Sequence, residues 1–284
     1  MKPCKRHRTS DEIFDPNPLA QTRGFQTRKY NIDFHDHDFY EINVVFEGTG
    51  YHYIENRKFN ASPGDVFVIP PGVLHAYENA DDSFNVFHLI AKNTFFAEFA
   101  SVLQQLSQFK MLLEIEPYLR RQNRQFFLSL DPKELLEFKA QAAVFESLRE
   151  DESPQAHTLR TVQTLKLICD LCRYMQNNAD RLWGEKKESH RGILLALDYI
   201  HNHYGQKLTV DTLAQQAYMS KPTFNRQFKA YCQVPPNTYI LMYRCEMAKK
   251  LLQIGKTKAQ AAQESGFYDQ SHMEKMMKQY LLET

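Results

Sequence analysis

The chain has 284 residues, of which 43% are hydrophobic and 24% charged, with a formal net charge of +1. That length suits about two domains, and the composition excludes a disordered, fibrous or collagen-like chain. The charge is unevenly divided: residues 190–284 hold 12 Lys and Arg against 7 Asp and Glu, and the remainder 23 against 27. A basic C-terminal part on a mildly acidic body fits a nucleic-acid-binding domain joined to one that does not bind nucleic acid.

Residues 1–26 are polar and include the basic cluster Lys2, Lys5, Arg6, His7 and Arg8. Lacking the periodicity to bury a face, they read as a flexible arm. Five cysteines, Cys4, Cys169, Cys172, Cys232 and Cys245, form an odd, scattered set without an apolar leader, which predicts reduced thiols and a cytoplasmic protein. Cys169 and Cys172 have C-x-x-C spacing but lie in the apolar periodic run Leu165–Met175, so they read as core neighbours before a metal or redox pair. No run approaches membrane-spanning length.

From Tyr30 to Ala91, short apolar segments alternate with turn residues. Strands are predicted over Tyr40–Phe46, Tyr51–Glu55, Val66–Ile69, His75–Glu78 and Phe84–Ile90. The motif His35-x-His37-x-x-x-Glu41 places His35, His37, Phe39 and Glu41 on one face of a single strand at the period of two, so three ligand atoms can converge. The run GDVFVIPPGVLHAYEN, Gly64 to Asn79, predicts a strand, a Pro-Gly turn and a returning strand that brings His75 opposite them.

Together these two stretches resemble the sequence motifs of the cupin superfamily. The second matches fully; the first has Lys29 where the family usually carries glycine. The resemblance implies a small antiparallel barrel in which His35, His37, Glu41 and His75 hold a divalent metal. Imidazole and carboxylate donors suit Fe, Mn, Ni or Zn. The same four side chains also suit hydrogen bonds to a sugar in a pocket, or a structural role, and the residues alone leave the three readings open. No nucleophile elbow, phosphate-binding glycine loop or HExxH motif is present.

Between Thr94 and Asn178 the pattern turns helical. One stripe contains Leu135, Phe138, Ala142, Phe145 and Leu148, and another Leu159, Val162, Leu165, Cys169, Cys172 and Met175. Two stripes exceed what a small barrel must shield, so the second is expected at a homodimer interface. The predicted organisation is an arm over 1–26, a sensing and dimerisation domain over 27–178, a linker over 179–189 and a DNA-binding domain over 190–284.

In the last of these, a helix is predicted over Ile193–Tyr204. Thr209 then caps a short helix and Ser220 a second, with Phe224, Phe228 and Tyr231 inward and Lys221, Asn225, Arg226 and Lys229 outward. After Pro235-Pro236 comes a long helix, Asn237–Leu252, and then a second unit: Lys258–Glu264, a turn at Ser265-Gly266-Phe267, and a helix over Asp269–Tyr280. Two helix-turn-helix units joined by one long helix, with LTVDTLAQQAYMSKPTFNRQFKAY, VPPNTYILMYRCEMAKKLL and ESGFYDQSH, resemble the AraC/XylS family of bacterial transcription regulators. Through HDHDFYEI the chain looks most similar to sugar-responsive members, including those of rhamnose and chitobiose use.

The resemblance implies base contacts from Pro222, Asn225 and Arg226 in the first unit and from Gln270, Ser271, His272 and Lys275 in the second, with phosphate contacts from Lys221, Lys229 and Lys278. Arg226 would pair with guanine and Gln270 with adenine. Met273, Met276 and Met277 depart from the aromatic or branched residues usual there, and the chain stops at Tyr280–Thr284, where the family continues through a Gly-x-Thr-Pro turn and a closing helix. Looser packing of the second unit is therefore expected. The fold class is α+β, with a cupin-like barrel and an all-α C-terminal domain. The expected function is ligand-responsive, sequence-specific transcription regulation of a carbohydrate-utilisation operon, without enzymatic activity. Its partners would be double-stranded DNA, a sugar-like effector held by His35, His37, Glu41 and His75, a second copy of the chain, and RNA polymerase if it activates. No cofactor is required, a divalent metal in the barrel being the exception. The alternative is a cupin metalloenzyme, a dioxygenase or sugar isomerase, with structural C-terminal helices.

Overall fold

The computed structural model describes residues 6–280 apart from 29–30, 80, 107, 122–127, 184–186 and 233. It divides into two compact units, Met1–Leu182 and Trp183–Thr284. The first unit carries nine strands: β1 (Arg6–Arg8), β2 (Thr22–Arg28), β3 (Ile32–His37), β4 (Tyr40–Glu47), β5 (Gly50–Ile54), β6 (Arg57–Ala61), β7 (Val66–Ile69), β8 (His75–Asn79) and β9 (Asn85–Ala91). They form a five-stranded sheet, β1-β3-β8-β5-β6, and a four-stranded sheet, β2-β9-β4-β7. Val45, Phe67 and Val86 from one sheet and Ile54 and Tyr77 from the other are buried in one cluster, so the sheets close over a common core, as the alternating apolar pattern requires.

The expected flexible arm is corrected. β1 pairs in parallel with β3, matching Arg6 to His35 and Arg8 to His37. The helical turn α1 (Ser10–Ile13) follows, and β2 pairs along its whole length with β9. The anchors are short apolar pairs, Ile13-Phe14 and Leu19-Ala20, in a polar stretch, which no periodicity announces. Phe14 is buried edge-on against Phe39, 5.7 Å between centroids, and Ala20 is buried too. Ser10 N donates to Asp38 Oδ1 at 2.7 Å, and His7 contacts Asp36. Residues 1–5 lie outside the described residues.

Short helices α2 (Asn93–Glu98) and α3 (Ala100–Leu103), a π-helical turn (Met111–Ile115) and α4 (Glu116–Arg121) lead to α5 (Pro132–Ser147) and α6 (Pro154–Trp183). α5 starts at a reciprocal cap in which Asp131 accepts from Glu134 N and Glu134 from Asp131 N. Its stripe covers the four-stranded sheet: Phe138 packs on Phe46 and Phe87, and Phe145 on Phe87. Gly24 allows this approach, because a Cβ there would lie 2.6 Å from the Phe145 ring.

The stripe predicted on α6 divides. Cys172 and Met175 are buried with Leu167, Ile168, Leu171 and Tyr174, Leu165 and Cys169 are half-buried, and Leu159 and Val162 are exposed. Cys169 and Cys172 are free thiols, and burial pushes Cys172 up to about 12, consistent with a core role. The predicted linker, 179–189, is helical at both ends, since α6 runs to Trp183 and α7 starts at Lys187. Ala179, Asp180 and Arg181 include no proline or glycine that would stop α6. No described helix is long and apolar enough to cross a membrane.

The second unit contains α7 (Lys187–His203), α8 (Val210–Gln216), α9 (Lys221–Cys232), α10 (Pro236–Gln253), α11 (Lys258–Glu264) and α12 (Gln270–Tyr280). Thr209 caps α8 by accepting from Thr212 N at 3.1 Å. Phe224, Phe228 and Cys232 bury one face of α9. On α10, Arg244 Nε donates to Tyr204 O at 2.8 Å and its Nη2 to Gln206 O at 2.7 Å, tying the long helix to the turn after α7. Contrary to the looser packing expected, the second helix-turn-helix has its own core. Met273 is buried with Cys245, Ala248, Ala261, Ala262 and Phe267, with Met276, Met277 and Tyr280 packed against them. Unbranched methionines fill the irregular space that aromatic residues would otherwise occupy.

Candidate ligand pocket and nucleic-acid interface

The strand predicted to carry both histidines and Glu41 is in fact two. β3 ends at His37 and β4 begins at Tyr40, and they belong to different sheets. Asp38 holds the corner, because its backbone O accepts from Asn93 Nδ2 at 2.9 Å while its carboxylate is taken by Ser10. The four side chains converge nonetheless. β3 faces β8 with His35 opposite His75, and Glu41 projects inward from β4. His37 Nε2 lies 2.9 Å and His75 Nε2 3.4 Å from Glu41 Oε2. Ligand atoms of His35, Glu41 and His75 all fall within 4.8 Å of one another.

Two further histidines complete the interior. His88 on β9 places Nδ1 2.6 Å from Glu41 Oε1, and its Nε2 meets Thr27 Oγ1 at 2.8 Å. His52 on β5 is fully buried and stacks on Tyr77, 4.0 Å between centroids. Sequence reasoning passed over both. The available signal was the period of two: His88 is the polar residue inside the otherwise apolar run Val86–Ala91.

Charges in this interior are set by burial and contact. Burial would raise the Glu41 carboxyl, but contacts from His37, His75 and His88 hold it well below the usual carboxylate range. Burial, with His75 beside it, pushes His35 down to about 3, and burial likewise depresses His52. The site is therefore a buried carboxylate ringed by imidazoles, of which His35 and His52 are neutral. Above it opens a cavity of about 410 Å³, walled by Phe25, Phe34, Phe39 and Ile90 and reached by Arg8 and Ile13 of the N-terminal segment.

The predicted DNA-facing residues lie on the outer faces of α9 and α12. Lys221, Pro222, Arg226 and Lys229 are exposed and Asn225 is half-buried; Gln270, Ser271, His272, Lys275 and Lys278 are exposed. Lys221 is held by Asp211, 2.9 Å away. Asp269 caps α12 by accepting from His272 N at 2.7 Å, and the His272 ring sits edge-on to Phe267. The turns before the two helices share one left-handed position, taken by Gly266 at φ +80 in the second unit and by Tyr218 at φ +55 in the first.

A family model for the AraC-like ligand binding domain matches residues 16–190, and one for a helix-turn-helix domain matches residues 213–284. The chain belongs to the AraC family of transcription regulators. Among curated relatives, an HTH-type transcriptional regulator, YbfI of Bacillus subtilis (strain 168), is 24% identical over 267 residues, covering 91% of this chain and 87% of its own. The HTH-type transcriptional activator RhaS of Escherichia coli O139:H28 is 24% identical over 249 residues, covering 84% and 80%. Among solved structures, an AraC-type regulator from Chromobacterium violaceum is 25% identical with a TM-score of 0.32, covering 34% of this chain and 87% of its own. As an AraC-family regulator the protein has a ligand-binding and a DNA-binding domain and is not an enzyme, which overturns the metalloenzyme alternative.

Proposed function

We propose that the protein is a dimeric regulator whose DNA affinity answers to a hydroxyl-rich, uncharged small molecule, a mono- or disaccharide or sugar derivative, and that it controls a carbohydrate-utilisation operon. The observation that carries this reading is the chemistry of the cavity. An ionised, buried Glu41 disfavours anionic ligands and accepts from hydroxyl groups, while His35 and His75 supply further polar atoms and the phenylalanine walls suit the apolar faces of a sugar ring. Arg8 and Ile13 belong to the N-terminal segment, so a bound effector would contact β1 and α1 as well as the barrel. Effector binding shifts operator affinity only by its differential affinity for the two arrangements of the chain.

Base readout is assigned to Pro222, Asn225 and Arg226 on α9 and to Gln270, Ser271, His272 and Lys275 on α12, with Lys221, Lys229 and Lys278 on phosphates. For self-association, Leu136 on α5 and Leu159 and Val162 on α6 are exposed apolar residues suited to a helix-to-helix interface. RNA polymerase is a further partner if the protein activates. Gel-shift titrations with a panel of neutral sugars and their acids test the reading. A neutral sugar is expected to change operator affinity where its uronic acid does not, and absence of sequence-specific binding would sink the proposal.

A second reading has its own observation. His35, His37 and His75 each place Nδ1 near a backbone carbonyl, of Asp33, Phe39 and Val73, at 2.8, 2.7 and 3.2 Å. Donation from Nδ1 leaves the Nε2 lone pairs free, as in histidines that bind metal. His35, Glu41 and His75 would hold a divalent ion, with His37 beside the same carboxylate; the ion would supply a Lewis-acidic contact for effector hydroxyls. Elemental analysis of the purified protein, with sugar binding measured before and after chelation, decides between the two: sugar binding unchanged by chelation rejects the metal.

A further inference from the structure

Glu274 lies on the exposed face of α12, four residues after Gln270 and beside Ser271, Lys275 and Lys278. A carboxylate on a surface that approaches DNA phosphates opposes binding unless it has partners of its own. Here it has two. Gln270 Nε2 donates to Glu274 Oε1 at 3.1 Å, and Lys258 Nζ, from α11, lies 2.8 Å from the same oxygen. These contacts, from Lys258 first, hold the Glu274 carboxyl below its ordinary range and offset its charge.

The consequence concerns Gln270. A free glutamine carboxamide can turn over and present either its carbonyl or its amine to a base edge. Glu274, an ionised carboxylate, only accepts, so it takes the amine end and fixes which way round the amide stands. One N–H is then committed to Glu274. The other N–H and the carbonyl oxygen remain side by side, the pair that matches N7 and the N6 amine of adenine in the major groove. We propose that Glu274 is a positioning residue for DNA reading, orienting Gln270 so that the second helix-turn-helix selects adenine at one operator position. This rests on the reading of α12 as a base-contacting helix. The Lys258–Glu274 pair also bridges α11 and α12, but an exposed bridge that only clamps two helices would affect all DNA sequences alike.

The test is selection of bound sites from random double-stranded DNA by the full chain. Binding titrations on the selected site and its single-base variants follow, for the parent, Q270A, E274A, E274Q, K258A and the Q270A/E274A double variant. Q270A is expected to lose an adenine preference at one position. E274A should reduce discrimination there about fivefold or more and add nothing in the double variant. E274Q, which can donate as well as accept, should relax the same position in part, and K258A should retain the preference. Three outcomes overturn the inference. Uniform weakening of all sites by E274A with an unchanged base profile would make the residue a clamp. An E274A effect at a different base from that of Q270A would make Glu274 a direct reader. If Q270A alters no position, the base-contact reading of Gln270 fails and the positioning role fails with it.

Discussion

Replacing Glu41 by alanine tests whether the buried carboxylate holds the sensor domain together. Two of its contacts are within hydrogen-bonding distance, His88 Nδ1 at 2.6 Å and His37 Nε2 at 2.9 Å, and His75 Nε2 stands further off at 3.4 Å. Removing the carboxylate leaves His37 and His88 buried without that partner, a change that costs about 3–5 kcal/mol when one member of a buried charged pair is deleted. In a domain of this size each kcal/mol moves the melting temperature by about 2–4 °C, so calorimetry of the full chain should show the sensor-domain transition fall by about 6–20 °C. Glu41→Gln keeps the shape and one acceptor and should cost less, about 1–3 kcal/mol, while abolishing the response to a sugar that uses the carboxylate. A Glu41→Ala protein that melts at or above the parent temperature would refute the reasoning, because the imidazoles would then gain nothing from the charge.

Arg226→Ala should abolish specific operator binding in a titration, whereas Lys275→Ala reduces it less; the reverse order would show that α12 dominates readout. Tyr218 is 88% exposed and holds φ +55. Tyr218→Gly should therefore stabilise the DNA-binding unit by about 0.5–1 kcal/mol through relief of left-handed strain, read as a higher melting temperature. Glu116 is buried beside Arg120, whose Nε donates to it at 2.6 Å, and burial raises its carboxyl to about 7. Its folded pKa thus exceeds the unfolded value, so the folded state binds the extra proton and sensor-domain stability falls as pH rises from about 4.5 to 7. Denaturation across that window should show the decline in the parent and a flatter profile in Glu116→Gln.

Periodicity and punctuation by themselves determined the two-domain plan, five of the strands and the helix-turn-helix pair, because those features depend on which residues alternate and where Thr209 and Gly266 stop or start a helix. The convergence of His35, His37, Glu41 and His75 was legible as residue types, and the four side chains do meet. Only the tertiary structure decided that they come from two sheets, since a corner at Asp38 is made by Ser10 and Asn93, residues 28 and 55 positions away. It also decided that the N-terminal segment joins the barrel, because the short Ile13-Phe14 pair sits in a polar stretch without periodicity and Phe14 finds Phe39 only across the fold. His52 and His88 entered the site for a related reason: His88 meets the Glu41 carboxylate, 47 positions away in sequence, only because β9 pairs with β4, and His52 meets Tyr77 only because β5 pairs with β8. Local sequence fixes backbone pattern through short-range sterics and hydrogen bonding, whereas a buried charge acquires its partners from strands that are distant along the chain.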